Sequence, residues 1–114
     1  MVITNKKFAE FAGYQLGQIV ADSEFAAAQE RYHEAIAAKR EADYEAAKAS
    51  GSSFGKRVVA RDYNVGSFSL VRGEIVYVTK INGTSSYRIQ RTKSRQSVIA
   101  TDSMANIEAH TERI

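Results

Sequence analysis

The dipeptide Asn82-Gly83 stands between two runs of alternating apolar and polar residues, and it constrains the fold more than any other feature. Such a pair is a strong signal for a β-hairpin, because a type I′ turn needs two residues at positive φ. A two-residue turn also fixes which residues face each other across the strands. The predicted pairs are Ile81 with Thr84, Val78 with Tyr87, Val76 with Ile89 and Glu74 with Arg91.

The two faces of the predicted hairpin differ in character. The apolar face ends in the predicted ion pair and reads as a core face, with Val76, Val78, Tyr87 and Ile89. The other face mixes apolar and polar side chains, and it sets Tyr77 opposite Arg88. An aromatic residue and an arginine are typical anchors of protein interfaces, so these two are candidate partner-binding residues. The alternative is an ordinary half-solvated sheet face.

Composition limits the classes of protein that this chain can belong to. Its 114 residues, 44% apolar and 25% charged, suit one small globular domain or a small domain with a helical appendage. No apolar run approaches the length of about 18 residues that a membrane span needs, and no secretory signal is recognisable, so a cytoplasmic location without membrane contact is expected. The absence of cysteine excludes disulfides, thiol nucleophiles and cysteine-based zinc sites.

Charge is distributed unevenly along the chain. Residues 1–50 hold 6 Lys and Arg against 8 Asp and Glu, whereas residues 51–114 hold 10 against 5. The positive C-terminal part favours an anionic partner, which could be nucleic acid or an acidic protein surface.

The first 50 residues are predicted to form a helical hairpin. A first helix is expected after an N-cap at Thr4 or Asn5, with apolar residues continuing on one face to Val20. A second, alanine-rich helix is expected from Asp22 or Ser23 to about Ala49. Its narrow apolar stripe suits another helix better than a core, which predicts self-association or partner binding. The candidate stripe residues are Phe25, Tyr32 and Ile36, together with Ala28.

The periodicity changes from helical to alternating after a polar linker at residues 51–54. The predicted organisation is therefore a helical hairpin at 1–50, that linker, and a small β-domain with a C-terminal tail at 55–114. The expected fold class is α+β, with a five-stranded antiparallel β-barrel as the second part. Strands are predicted near 57–63, 74–81, 84–91 and 96–101, with a turn at 64–67.

The pattern over roughly residues 55–108 resembles the Src homology 3 type of small β-barrel. Ala60, Asp62 and Tyr63 are similar to the first strand of that family, and Gly73-Glu74 is similar to its Gly-acidic turn. The other matching positions are Phe68, Leu70, Val76, Val78, Tyr87, Ile89, Val98, Ile99, Ser103 and Ile107. The resemblance implies a binding module. The chain lacks the family's tryptophan and the acidic residues of its first long loop, and it has Asn106 near an expected groove tyrosine, so proline-rich ligands are not expected.

No constellation for catalysis or metal binding is recognisable in the sequence. The two histidines, His33 and His110, are far apart, and surface carboxylates with one imidazole rarely hold a metal. The segment 51–56 lacks the spacing of a phosphate-binding loop, and no nucleophile elbow is present. We therefore expect no enzyme, no cofactor and no metal.

The strongest charge feature is a basic surface on the predicted barrel. Its members are Lys56, Arg57, Arg61, Arg88, Arg91, Lys93 and Arg95. Interleaved with tyrosines, these cations suit contacts with a phosphate backbone, while a solvated basic loop is the simpler interpretation. The leading hypothesis is a protein-binding module, such as an accessory or inhibitor protein of a phage or mobile element, with possible homo-oligomerisation through the helices. Nucleic-acid binding by the basic face is the alternative.

Overall fold

The computed structural model, which describes residues 1–114, contains three α-helices and seven β-strands and confirms the predicted α+β class. The helices are α1 Lys6–Ala12, α2 Asp22–Ala49 and α3 Met104–His110. The strands are β1 Lys56–Val59, β2 Tyr63–Val65, β3 Phe68–Leu70, β4 Ile75–Lys80, β5 Ser86–Gln90, β6 Val98–Ser103 and β7 Thr111–Arg113. The chain divides into two units, residues 1–39 and residues 40–114, and none of its helices has the length and apolarity to cross a bilayer.

The first unit begins with a helix that is shorter than the sequence predicts. Asn5 caps α1 as expected, because its side-chain oxygen accepts the Phe8 N–H at 3.0 Å. The helix then stops at Gly13, whose φ of +78° is the left-handed conformation that ends many helices. The apolar residues beyond this point are therefore not on its face, and Ile19 instead forms an isolated antiparallel bridge with Val2.

The core of the first unit is an aromatic cluster between α1 and α2. Phe8, only 5% exposed, lies 5.3 Å from the Phe25 ring and 5.5 Å from the Tyr32 ring, both in edge-on arrangements. Ala9 and Ala28 are buried in the same cluster. The stripe predicted for an external partner thus packs against α1 of its own chain.

The second unit is built on an antiparallel sheet of five strands in the order β6-β5-β4-β1-β7, with β2 and β3 forming a separate two-stranded sheet. Alternate residues of β4 are buried, and the buried apolar residues of the large sheet form one core with the β2–β3 pair. The fully buried members of this core include Val59, Tyr63, Leu70, Val76, Ile89 and Ile107. Burial of Val76, Val78 and Ile89 confirms the predicted core face of the hairpin.

The β4–β5 register differs by two residues from the predicted one. The observed partners are Tyr77 with Gln90, Val78 with Ile89, Thr79 with Arg88 and Lys80 with Tyr87. The prediction of a type I′ turn is wrong, because this turn needs positive φ at both central residues and only Gly83, at +78°, has it. Since the shift is even, each side chain keeps its face, and Arg91 still forms an ion pair with Glu74 at 3.1 Å.

The predicted turn at residues 64–67 lies in a second β-hairpin, formed by β2 and β3. Val65 pairs with Phe68 around the two-residue loop Gly66-Ser67. Gly66 has a φ of +59°, which a type II′ turn requires at its first central residue. This hairpin carries Tyr63 and Leu70 into the core of the second unit.

The C-terminal part of α2 belongs to the second unit, although the sequence places the boundary at residues 51–54. Arg72 makes two hydrogen bonds to the Glu41 carboxylate, at 2.7 and 3.1 Å, and its guanidinium lies 3.7 Å from the centre of the Tyr44 ring. The Tyr44 hydroxyl in turn donates to Glu112 of β7 at 2.7 Å. These side-chain contacts fix residues 41–49 to the sheet, so the unit boundary falls inside the helix.

Candidate partner-binding cleft

An exposed phenylalanine lies between α2 and β1, in a segment that the sequence marks only as a polar linker. The Lys56 N–H donates to the Ser53 C=O at 3.0 Å and closes a turn with Phe54 and Gly55 at its centre. Gly55 has a φ of +72°, and its carbonyl accepts the Val78 N–H at 2.8 Å. The turn is thus attached to β4 by its backbone, while the Phe54 side chain is 89% exposed.

Beside this turn is a cleft of about 480 Å³, here called the Phe54 cleft. Its walls are residues 52–57, the C-terminal parts of β4 and β7, the start of β5, the start of α3 and Ile114. Val78, Tyr87 and Met104 supply its apolar surface. Small ligands and peptide side chains bind in concave apolar sites of this size, so the cleft is the candidate site of the second unit.

The charged residues that line the Phe54 cleft are all basic. They are Lys56, Arg57, Lys80 and Arg113. Lys56 caps the end of α2, because its ammonium group donates to the Ser50 hydroxyl at 2.7 Å and to the Gly51 carbonyl at 2.9 Å. The charged groups of Lys80 and Arg113 have no hydrogen-bonding or ion-pair partner in the chain. The cleft therefore presents a positive potential to an incoming group.

Arg57 is the unusual member of this set because it is only 7% exposed. Its Nε donates to the Thr111 hydroxyl at 2.7 Å, and one terminal nitrogen donates to the Thr111 carbonyl at 3.4 Å. Burial lowers the pKa of Arg57, the charge of Glu108 raises it, and the charge of Arg113 lowers it further. An arginine in protein remains protonated, so Arg57 is a buried charge held by neutral acceptors.

The residues predicted as partner anchors on the β4–β5 hairpin lie on the opposite face of the sheet from the cleft. Tyr77 and Val78 are adjacent in β4, and Val78 lines the cleft, so Tyr77 points the other way. In the observed register Arg88 faces Thr79, whereas Tyr77 faces Gln90. Tyr77 and Arg88 are both partly buried and share a face, but they are not the direct cross-strand pair that the sequence predicts.

The predicted stripe residues of α2 have intramolecular neighbours. Phe25 and Tyr32 contact Phe8, and Tyr32 also lies 5.3 Å from the ring of Phe11. Ile36 lies one turn further along α2 and is partly buried. The first two residues are therefore occupied in the unit that contains them.

The seven predicted basic residues do not form one continuous surface. Arg57 is buried against Thr111, and Arg91 is engaged with Glu74 and lies 5.6 Å from the Phe68 ring centre. Lys93 and Arg95 are exposed in the β5–β6 connection, and Arg61 is exposed after β1. Lys56 and Arg57 line the Phe54 cleft, whereas Arg88 points from the opposite face of the sheet.

A second polar cluster joins β2, β6 and α3. The buried Tyr63 hydroxyl donates to the Asp102 carboxylate at 2.5 Å, and its ring stacks on His110 at 4.7 Å. Desolvation alone would raise the pKa of Asp102, but hydrogen bonds from Tyr63, Asn106 and the Ser103 N–H hold it below the ordinary value. Burial, followed by the bond to Asp102, raises the pKa of Tyr63. The hydrogen bonds from Tyr63 and Asn106 to Asp102 connect β2, β6 and α3, so this cluster holds α3 against the sheet.

Phe54, Met104 and Arg113 are the cleft residues that the sequence-based reasoning missed. An exposed aromatic residue beside Gly55 was the available signal, because a Phe-Gly pair suits a tight turn that displays its first side chain. No group of three or more His, Asp or Glu side chains is arranged to hold a metal ion. Comparison with protein-family models, with curated proteins and with solved structures found no match to this chain.

Proposed function

We propose that this chain is a non-enzymatic protein-binding module whose contact site is the Phe54 cleft. The observation that carries the proposal is the Phe54 side chain, 89% exposed at the edge of an apolar cleft with basic surroundings. Aromatic residues, phenylalanine included, are enriched at protein interfaces, and a nearly fully exposed ring leaves its apolar surface in water.

The free energy that a partner would gain by burying the Phe54 side chain supports this proposal. Burial of a phenylalanine side chain is worth about 1.5–3 kcal/mol, which is a factor of roughly ten to a hundred in affinity. The backbone bond between Gly55 and Val78 holds the turn in place, so little ordering is needed when a partner binds. A fixed aromatic side chain next to a concave apolar surface is suited to capture of a partner's side chain.

The chemistry of the cleft lining supports a binding role over a catalytic one. Histidine, the commonest general acid–base residue, and the side-chain carboxylic acids are absent from the lining, and the Lys56 ammonium group is already bound by Ser50 and Gly51. Its two serine side chains, Ser52 and Ser53, have no histidine or carboxylate side chain among the lining residues.

We further propose that the second unit is a Src homology 3-like barrel. Support comes from the order of its elements, since a first strand is followed by a hairpin, the Gly73-Glu74 turn, two long paired strands and a short helix before the last strand. The core shared by the β2–β3 pair and the five-stranded sheet also supports curling of the sheet around that core. The burial of Tyr63 leaves no exposed aromatic groove at that position, which agrees with a ligand other than proline-rich peptides.

Nucleic-acid binding by the basic residues is the alternative function. Continuous tracking of a phosphate backbone needs cations along one accessible surface. The buried Arg57 and the engaged Arg91 make that surface discontinuous, and for this reason protein binding is the leading proposal.

The test is affinity capture from lysate of the source cell, with and without nuclease treatment, using wild-type protein, Phe54→Ser and Ile19→Ser. The two variants each remove a highly exposed apolar side chain, 89% and 80% exposed, but only Phe54 borders the cleft. We expect a partner protein that Ile19→Ser retains and Phe54→Ser loses. Capture that Phe54→Ser leaves unchanged contradicts the proposed site, and capture that nuclease abolishes supports the nucleic-acid alternative.

A further inference from the structure

Two arginines lie directly opposite each other on the strands that border the Phe54 cleft. The β1–β7 register pairs Arg57 with Arg113, and both residues line the cleft. Directly opposed side chains of an antiparallel pair have Cβ atoms about 4.5–5.5 Å apart, where like charges repel. Neither arginine has a carboxylate within ion-pair distance, so within the chain only the longer-range charge of Glu108 offsets the charge of this pair.

The charged groups around the arginine pair increase the positive charge on the cleft side. Lys80 lines the same cleft, whereas Lys56 is opposite Tyr77 in the β1–β4 register and its ammonium group is bound at the end of α2. Glu112 follows Thr111 in β7, but it is engaged by Tyr44 and Lys48 on the opposite face of the sheet. Glu108 of α3 acts on Arg57 through its charge alone, without an ion pair. A buried guanidinium that faces a second arginine is an arrangement that an anion would stabilise.

We propose that the Phe54 cleft binds an acidic protein segment, with a carboxylate between Arg57 and Arg113 and a neighbouring large apolar side chain against Phe54, Val78 and Met104. This inference rests on the proposed function and names the chemistry of its partner. Guanidinium groups match carboxylates in a planar, two-bonded geometry. The complementary charge would therefore both orient the segment and supply the missing counter-ion.

The shape and polarity of the site favour a protein carboxylate over a nucleic-acid phosphate. Arg57 is 7% exposed, so an anion reaches it only through the cleft, next to the apolar surface of Val78, Tyr87 and Met104. A phosphate backbone carries a charge at every nucleotide and binds best along exposed cations. A peptide can place one carboxylate beside one apolar side chain, which is the pattern that this cleft presents.

The test uses fluorescein-labelled hexapeptides and fluorescence anisotropy with the full chain at physiological salt. The first probe has phenylalanine flanked by glutamates, the second has glutamines in place of the glutamates, and the third has serine in place of phenylalanine. A labelled oligothymidylate is the fourth probe. We expect the first peptide to bind at least about ten-fold more tightly than each of the other three.

Protein variants locate the binding to the arginine pair. Arg113→Gln and Phe54→Ser are each expected to weaken the first peptide about ten-fold, while Arg95→Gln, which removes an exposed arginine outside the cleft, has no effect. Equal binding of the glutamate and glutamine peptides overturns the carboxylate inference. Tighter binding of the oligothymidylate also overturns it.

Stability of Arg113→Glu supplies an independent measurement. A glutamate at this position would face Arg57 and replace a repulsive pair by an attractive one. We expect a higher urea midpoint together with loss of peptide binding. A lower urea midpoint contradicts the inference that Arg57 and Arg113 repel each other in the wild-type protein. If lysate capture depends on Phe54 while no acidic peptide binds, the carboxylate inference fails and the proposed binding function stands; if capture is independent of Phe54, the proposed function fails as well.

Discussion

Gly55 is the residue on which the position of the Phe54 turn depends, and Gly55→Ala tests this dependence. A Cβ atom at this position would collide with the Val78 carbonyl oxygen, which is a backbone atom and cannot move aside cheaply. The φ of +72° is also unfavourable for any residue with a side chain. The substitution therefore strains the local backbone and pushes the turn away from β4.

The magnitude follows from three contributions. Left-handed backbone costs a non-glycine residue about 1–2 kcal/mol. Displacement of the turn weakens the hydrogen bond from the Val78 N–H to the Gly55 carbonyl, which is worth about 0.5–1.5 kcal/mol, and adds a packing strain of similar size. We expect Gly55→Ala to lower the free energy of unfolding by about 2–4 kcal/mol.

Gly83→Ala is the matched control, because Gly83 has nearly the same φ, +78°, and a Cβ atom added there would have no neighbouring atom within 4 Å. Only the backbone contribution applies there, so a loss of about 1–2 kcal/mol is expected. Urea unfolding followed by circular dichroism compares the two variants, and amide hydrogen exchange at Val78 reports the local bond. Equal losses in both variants, or an unchanged Val78 exchange rate in Gly55→Ala, would refute the close approach.

Three further substitutions test other parts of the structure. Phe8→Ala removes the centre of the aromatic cluster and should cost about 3–5 kcal/mol, measured as faster amide exchange in residues 1–39. Arg72→Ala should speed exchange at residues 41–49, whereas Arg72→Lys should do so less at low salt because it keeps the charge near Glu41. Asp102→Asn should make the free energy of unfolding depend less on pH in acid. Because the pKa of Asp102 is lowered in the folded state, its carboxylate stabilises the protein above the unfolded pKa, near 4, and this stability is lost as the pH falls through the folded pKa. Unfolding measured across acid pH should therefore show a smaller loss of stability in the variant.

The sequence predicted those parts of the fold that depend on neighbouring residues. The N-cap at Asn5 and the core face of the β4–β5 hairpin follow from local capping and alternation, and the structure confirms them. The second helix was predicted near the right residue, but Asp22 and Ser23 lie in its first turn and do not precede it as an N-cap. The register was wrong because Asn-Gly fits more than one loop length, and Ser86 rather than Thr84 pairs with Ile81. The loop between these strands therefore has four residues instead of two.

Short elements were harder to predict than long ones. The β2–β3 hairpin has strands of three residues, which are too short to show an alternating pattern, although Gly66-Ser67 is an allowed two-residue turn. The first helix was predicted too long because apolar spacing continued past Gly13, and the left-handed conformation of that glycine ends the helix. In both places turn chemistry was the better guide than periodicity.

The candidate site could not be predicted from the sequence, because its parts come together only through the sheet topology. Arg57 stands in a basic cluster of the sequence and was grouped with exposed cations, but the neighbouring β7 strand covers it. Its cross-strand neighbour, Arg113, belongs to a tail to which the sequence assigns no strand. A protein normally avoids opposing two like charges beside a buried position, since a single substitution at the exposed partner would relieve the repulsion. If the proposed anionic group of a partner occupies the space between the two arginines, the stability and the peptide affinity of Arg113→Glu should change in opposite directions.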